Sequence, residues 1–257
     1  MKKILIAAGV LSAFAAQAQV AGYSTNTGVV YVGASTVVGG PHSAGKPGVG
    51  VDGAGNIIDL GGIALFTGNG SQSVSGATFS KHKLDGYQHV DEGGSVSTNF
   101  NWFRIPSVAS SGVSREVYFG LANEPASGAQ AAFYVGDRTA YAVPTSNTNY
   151  ATVAFVSGTS GTDVLTGNLR YDTAGTLNTA TTAGGAANLV SATTGATLGI
   201  QTAVAAATGT FSGSSYYKSA SVTGSARGEF YGAGTTSAVA GTATGAGYVA
   251  AFGGIRN

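Results

Sequence analysis

No cysteine occurs among the 257 residues, which removes disulfides, thiolate metal ligands and any lipid-carrying cysteine at once. The single methionine is Met1, so a thioether ligand is missing from any processed form of the chain. Charged side chains are scarce at 9 %, the formal net charge is +1, and neither a basic stripe nor an acidic tract is present. That argues against electrostatic capture of nucleic acid or of anionic lipid. Apart from an N-terminal segment that is itself too short, no apolar run approaches the roughly 18 residues of a membrane-spanning helix. There is no G-x-S-x-G nucleophile elbow. The one adjacent carboxylate pair, Asp91-Glu92, reads as a solvated turn rather than an acid and base couple, so the chain is not expected to be an enzyme.

What is present begins with an export signal. "MKKILIAAGVLSAFAAQAQ" carries Lys2 and Lys3, an apolar run from Ile4 to Ala16, and Ala16-Gln17-Ala18, the pattern of a secretory signal peptide over residues 1–18. The remaining chain, about 239 residues, is then exported without a membrane anchor and is large enough for one big domain or two modest ones. Forty-two glycines and 12 tyrosines against one tryptophan, with abundant Thr, Ser and Ala, point to short strands joined by turns. The expected fold is mainly β.

In the first half "VVYVGASTVV", "NIIDLGGIALF", "SVSTNFNWFRIPSV", "REVYFGLANE" and "AAFYVGDRTAYAV" read as strands. The third places Val96, Thr98, Phe100 and Trp102 on one face. A glycine-dense loop spans 39–55, "SGAQAAFY" could turn once or twice as helix, and "SKHKLDGYQHVDE" reads as a loop or hairpin because Asp85-Gly86 is a turn signal. From about Thr139 the segments shorten and turn residues recur every eight to twelve positions. "NYATVAFVSG", "LTGNLRYD", "GTLNTAT", "ANLVSATT", "TLGIQTAVAA", "GTFSGSSYYKSA", "GSARGEFYGAG" and "GYVAAFGGI" are about eight candidate strands. Eight short antiparallel strands predict a closed barrel, which leaves no unpaired edge, filled by its own side chains. The predicted division is a β-rich domain over 19–136 and an eight-stranded antiparallel β-barrel over 137–257.

The segment "YVGDRTAYAVPTSNTNYATVAFVSG" resembles the opening of the C-terminal barrel of transferrin-binding protein B and its relatives. "GNLRYDTAGTL" is similar to a later hairpin, and "ARGEFYGAGTTSAVAGTATGAGYVAAFGG" to the barrel's ending, in the same order. Relatives of that family are typically lipoproteins moved across the bacterial outer membrane by the Slam translocon. A two-domain member of this size without a lipidated cysteine resembles the hemophilins, secreted haemophores. The resemblance implies haem held by the N-terminal domain, Slam-dependent export, delivery to an outer-membrane TonB-dependent haem receptor and capture from host haemoglobin.

Haem iron takes an axial donor from His, Cys, Met or Tyr. With the sulfur ligands missing, histidine or tyrosine must serve; histidine is the stronger type, and His42, His82 and His89, which supply the only imidazoles, all precede the barrel. Imidazole is mostly neutral near pH 7 and available to a metal. The expected pair is His42 with His89, because Tyr87 and Val90 beside His89 offer surface for the porphyrin. His82, the third candidate, is flanked by Lys81 and Lys83, which with Lys46 and Arg104 are the candidate partners of the propionates.

A three-histidine zinc site lacks any compact H-x-H or H-x-x-x-H spacing. "GPHSAGK" and "GVGVDG" mimic nucleotide-binding loops, yet Pro47 stands where magnesium binding needs Ser or Thr, and neither opens a helix pattern. A second reading keeps the fold and gives the N-terminal domain a host protein to bind, with no haem, through "NWFRI" as a hot spot; Trp102 and Phe100 are nonetheless expected in the core. An integral outer-membrane barrel is a third, disfavoured by small polar strands that offer lipid no apolar band.

Overall fold

Alternating large apolar and small or polar residues put most of this chain into antiparallel strands. The computed structural model describes residues 20–51, 55–91, 94–106, 116–158, 161–181, 183, 185, 187–218 and 223–257; the expected signal segment 1–18 lies outside them. The N-terminal half runs β1 (Val20–Ser24), β2 (Tyr31–Ala34), β3 (Pro47–Gly50), β4 (Ile58–Asp59), α1 (Leu60–Ala64), β5 (Gly68–Val74), β6 (Ala77–Asp91), β7 (Gly94–Arg104), β8 (Val117–Asn123) and β9 (Gln130–Asp137). Six of these strands form one sheet in the order β1-β9-β8-β7-β6-β5, and β2-β3-β4 form a small separate sheet.

The C-terminal half runs β10 (Thr148–Gly158), β11 (Gly161–Asp172), β12 (Thr176–Thr179), β13 (Leu189–Val190), β14 (Thr197–Ala205), β15 (Thr210–Tyr217), β16 (Thr223–Tyr231), β17 (Ala238–Gly245) and β18 (Tyr248–Arg256). Strand β10 pairs with both β11 and β18, which closes the sheet. Both β12 and β13 fill the gap between β11 and β14, so eight strands make the circumference, as expected. Tyr150, Leu165, Leu169, Leu177, Ile200, Phe211, Phe230 and Phe252 fill the interior, leaving a packed core rather than a channel.

Successive side chains alternate across a strand, and the six-stranded sheet uses both faces. Phe79, Phe103, Phe119 and Tyr134 pack on the barrel wall with Val153, Phe155, Tyr231 and Ala251; Phe103 stacks on Phe155 at 4.5 Å. On the other face Phe100, Trp102, Tyr118 and Phe133 pack with Val29, Val49 and Leu60 beneath the small sheet and α1. Trp102 and Phe103 are fully buried, so "NWFRI" is core and not the exposed hot spot of the host-protein reading.

Four local readings of the sequence need correction. "SKHKLDGYQHVDE" is no loop over its described residues: 80–91 lie in the 15-residue strand β6, and the turn signal is absorbed as a bulge between Leu84 and Tyr87. Gly86 takes the positive φ of +67° that the bulge requires, and its N–H donates to Asn99 Oδ1 at 2.7 Å. "NIIDLGGIALF" gives only two strand residues, Ile58 and Asp59, and Asp59 caps α1, accepting from the Gly61 N–H at 2.7 Å. The helical option for "SGAQAAFY" yields to β9, whose residues are mostly buried on both faces. "ANLVSATT" supplies only the two-residue β13, while "AVAGTATG" forms β17, an unrecognised eighth barrel strand between β16 and β18.

Candidate functional site

Strand β6 sets His82 opposite Gly68 of β5 and Trp102 of β7. The imidazole lies parallel to the indole, 5.3 Å between ring centres and 18° between planes, and only 6 % of the residue is exposed. Both ring nitrogens, Nδ1 and Nε2, are buried without a hydrogen-bond partner, as is Trp102 Nε1. A buried polar group left unpaired costs about 1–3 kcal/mol, and neutral imidazole always carries one donor and one acceptor. The cost therefore falls on both nitrogens. Burial, and after it the positive charge of Arg104, hold the His82 pKa below its ordinary 6.5. The ring is neutral near pH 7 and keeps a lone pair for a metal.

His42 belongs to the loop before β3, where it bridges back to Gly39, and its Nδ1 is also buried without a partner. The ring lies against α1 at Gly62: a Cβ there would fall 2.6 Å from His42 Nδ1 and 2.7 Å from the Pro41 carbonyl oxygen. Only glycine lets the loop and the helix approach this closely. A short connection then leads from α1 to His82. The Thr67 hydroxyl donates to the Ile63 carbonyl at 3.0 Å, the Lys83 N–H donates to the Thr67 carbonyl at 3.1 Å, and Gly68 is the β5 residue opposite His82.

Exposed apolar side chains mark the same region. Among the described residues the large exposed hydrophobics are Val38, Leu65, Phe66 and Val190, the first three at 76 %, 73 % and 77 %. Val38 lies four residues before His42, and Leu65 and Phe66 follow α1 directly. Two imidazoles bearing unpartnered nitrogens, with apolar side chains beside them and a stacked indole, suit a flat apolar ligand with a metal at its centre. The residues present fit a haem.

The other predicted residues divide by face. Arg104 is cross-strand to Ser80 and Tyr118 and shares the Trp102 face. Tyr87, past the bulge, packs edge-on to Phe100 at 6.4 Å on that face too. Lys46 pairs with Glu116 at 3.7 Å, beside α1, where a Cβ at Gly61 would come 3.0 Å from both Glu116 Oε1 and the Tyr118 hydroxyl. Lys81 reaches instead over the Phe155 ring of the barrel at 5.7 Å. Lys83, two residues on, is cross-strand to Asn101 and forms an ion pair with Asp85.

His89 is opposite Val96 on β6, and its side chain lies outside the described residues. Along a strand rising about 3.3 Å per residue, positions 82 and 89 are roughly 20 Å apart, so one iron cannot take both. No group of three His, Asp or Glu side chains suited to a metal ion occurs among the described residues. Sequence reasoning missed Trp102 as a neighbour of the site and missed Gly62, Leu65 and Phe66 altogether. A Gly-Gly pair before an exposed Leu-Phe was the available signal.

The chain was compared with known proteins. Residues 15–130 match the model of the family described as "HphA N-terminal heme-binding domain". No curated protein is significantly similar to the chain. Among solved structures it is similar to a double mutant of the vaccine antigen transferrin-binding protein B from Haemophilus parasuis Hp5, at 15 % sequence identity and a TM-score of 0.40, over 74 % of this chain and 41 % of that one. The chain thus spans less than half the length of that antigen.

Proposed function

We propose, from the match of residues 15–130 to the model of the family described as "HphA N-terminal heme-binding domain", that the protein is a secreted haemophore whose haem iron is held by His42 and His82. The observation that carries the ligand assignment is the pair of His82 ring nitrogens, buried and unpartnered like His42 Nδ1, with His42 packed on Gly62 of α1 and Gly68, just after that helix, opposite His82. Haem supplies the iron for axial ligation. The chain's own residues do the rest: Leu65, Phe66 and Val38 cover apolar porphyrin edge, Trp102 holds the His82 ring plane, and Arg104 and Lys46 meet the propionates. Because His82 is covered, the segment Leu65–Gly68 must move aside for the ring to reach iron.

In this reading export follows a signal peptide over residues 1–18 and then a Slam-type translocon. Haem comes from a host source such as haemoglobin and passes to an outer-membrane TonB-dependent haem receptor. The test is a titration of the processed protein with ferric haem, followed at the Soret band, for wild type and for His42→Ala, His82→Ala and His89→Ala. Saturation near one equivalent, lost or shifted in the first two variants and kept in the third, supports the assignment. Loss in His89→Ala with retention in His82→Ala moves the second ligand to position 89. A free-haem spectrum in wild type overturns the reading and leaves a secreted host-protein-binding factor of the same fold.

A further inference from the structure

The barrel carries its own cavity, far along the chain from the histidines. It measures ≈ 360 Å³ and is lined by Arg170, Asp172, Asn178, Asn188, Gln201 and Tyr216 among others. Barrel strands alternate between core and outer wall: Leu169, Leu177 and Ile200 point inward, so their neighbours Arg170, Asn178 and Gln201 stand on the outer wall. Cross-strand register places these three in one row, Arg170 opposite Asn178 and Asn178 opposite Gln201. Tyr216 flanks the row. It is the cross-strand partner of Gly199, and a Cβ at Gly199 would fall 1.9 Å from Tyr216 Cζ, so the ring covers the glycine while Tyr216 also lines the cavity. Its hydroxyl donates to Asn188 Oδ1 at 2.8 Å, which ties the overlying loop to the ring.

The volume sits at the small end of the roughly 300–1,000 Å³ of small-molecule sites. Its lining is unlike most of them. Three carboxamides, a guanidinium and a carboxylate offer both donors and acceptors, and the single large apolar surface is an aromatic face. In a protein with so few charged residues, an Arg and an Asp in one cavity are notable. A ligand matched to this set bears several neutral hydroxyls in a plane and an apolar C–H face opposite. We propose that this cavity is a binding site for a neutral pyranose sugar, stacked on Tyr216 and hydrogen-bonded by Arg170, Asn178 and Gln201.

Part of the network is already committed, which fixes the side chains before a ligand arrives. Asn178 Oδ1 accepts from the Thr202 N–H at 3.0 Å and its Nδ2 donates to the Thr176 hydroxyl at 3.1 Å. Asp172 Oδ1 accepts from the Ala174 N–H at 2.8 Å. Preorganised groups lose less rotamer freedom on binding.

The test is saturation-transfer NMR on the whole processed protein with the methyl glycosides of glucose, galactose, mannose and N-acetylglucosamine. The expected result is transfer to at least one of the four, strongest at the C–H protons of one sugar face. Gln201→Ala and Arg170→Ala, on the outer wall, should weaken it roughly three- to tenfold, the size of one hydrogen bond. Tyr216→Phe keeps the platform and should keep most of the signal, while Tyr216→Ala should abolish it. Should Tyr216→Ala fail to fold, the Gln201→Ala and Arg170→Ala pair decides alone. No transfer to any of the four glycosides, or transfer unchanged in both of those variants, overturns the proposal. Haem titration of the same variants should be unchanged, so this site and the haem reading stand or fall separately.

Discussion

A histidine kept for ligation should lower the stability of the ligand-free protein, and His82→Phe tests this with two readouts of opposite sign. Phenylalanine has nearly the same flat shape, stacks on Trp102 in place of the imidazole at 5.3 Å, and removes two buried nitrogens that have no partner. Each unpaired buried group costs about 1–3 kcal/mol, while the larger ring returns part of the gain as overpacking of about 1–3 kcal/mol. The net expectation is a stabilisation of ~1–2 kcal/mol, a rise in Tm of about 2–8 °C for a chain of this size. Haem binding should be lost.

The pH dependence sharpens the test. The folded-state pKa of His82 lies below its ordinary 6.5, so between the two values the unfolded chain binds the extra proton. Stability then rises with pH across that window, by at most ~1.4 kcal/mol per unit, and is fully present above about pH 6.5. Glu229, whose carboxyl burial raises above its ordinary 4.5, acts with the opposite sign. The His82 contribution is therefore read as the difference between wild type and variant, by urea unfolding at pH 5 and pH 7.5. A variant less stable than wild type at pH 7.5, or one that still binds haem, refutes the reasoning.

Trp102 is the only tryptophan and lies against His82, so its emission should be quenched almost completely as haem binds, with the same one-equivalent endpoint as the Soret band; persisting emission at saturation would place haem elsewhere. Gly62→Ala puts a methyl 2.6 Å from His42 Nδ1 and 2.7 Å from the Pro41 carbonyl oxygen; it should weaken haem about tenfold or more, ~1.4 kcal/mol, and lower the urea midpoint of the ligand-free protein, because backbone as well as the ring has to shift, and wild-type haem affinity in this variant would place His42 outside the site. Arg104→Ala should weaken haem binding and Lys81→Ala should not, since Lys81 lies over Phe155 on the barrel face; isothermal calorimetry on the two separates the faces. Arg138, buried, donates to the Phe230 and Gly209 carbonyls at 3.1 and 3.3 Å and pairs at 3.4 Å with Glu229, which is half-buried. Arg138→Met removes one of the groups that compensate this carboxylate, leaving Arg227 and the hydrogen bonds from Tyr231 and Tyr134, and should cost about 1–3 kcal/mol in chemical unfolding, of which a second change, Glu229→Gln, should return a part.

Composition and turn spacing made the barrel legible, since eight short strands with polar turns have few other ways to hide their edges. Its membership was less legible. Strand β17, "AVAGTATG", carries no large side chain, and its place is set by pairing with β16 and β18 along its whole length rather than by any alternation of its own. The histidines illustrate the complementary limit. That they precede the barrel is plain from the sequence, but Asp85-Gly86 signals a turn and a bulge with the same residues, and only the neighbouring strand β7 decides between them. A turn would have left His82 and His89 in one loop. The bulge keeps them on one strand, well apart.

That bulge also bears on how the two halves work together. Before it, even-numbered residues of β6 lie on the Trp102 face and odd-numbered ones on the barrel face, as His82 against Trp102 and Lys81 over Phe155 show. The sheet is thus a wall one residue thick. Its barrel side is fixed by stacked phenylalanines, Phe103 on Phe155, within a large apolar cluster; its other side is covered by a five-residue helix and a three-stranded sheet of two- to four-residue strands. Few buried contacts hold so short a cover, and local opening draws on the least stable segments. On the proposed ligation, the movement that brings His82 to iron would therefore fall on the cover around α1 and Leu65–Gly68. The barrel, locked to the opposite face, can keep one shape whether or not haem is bound.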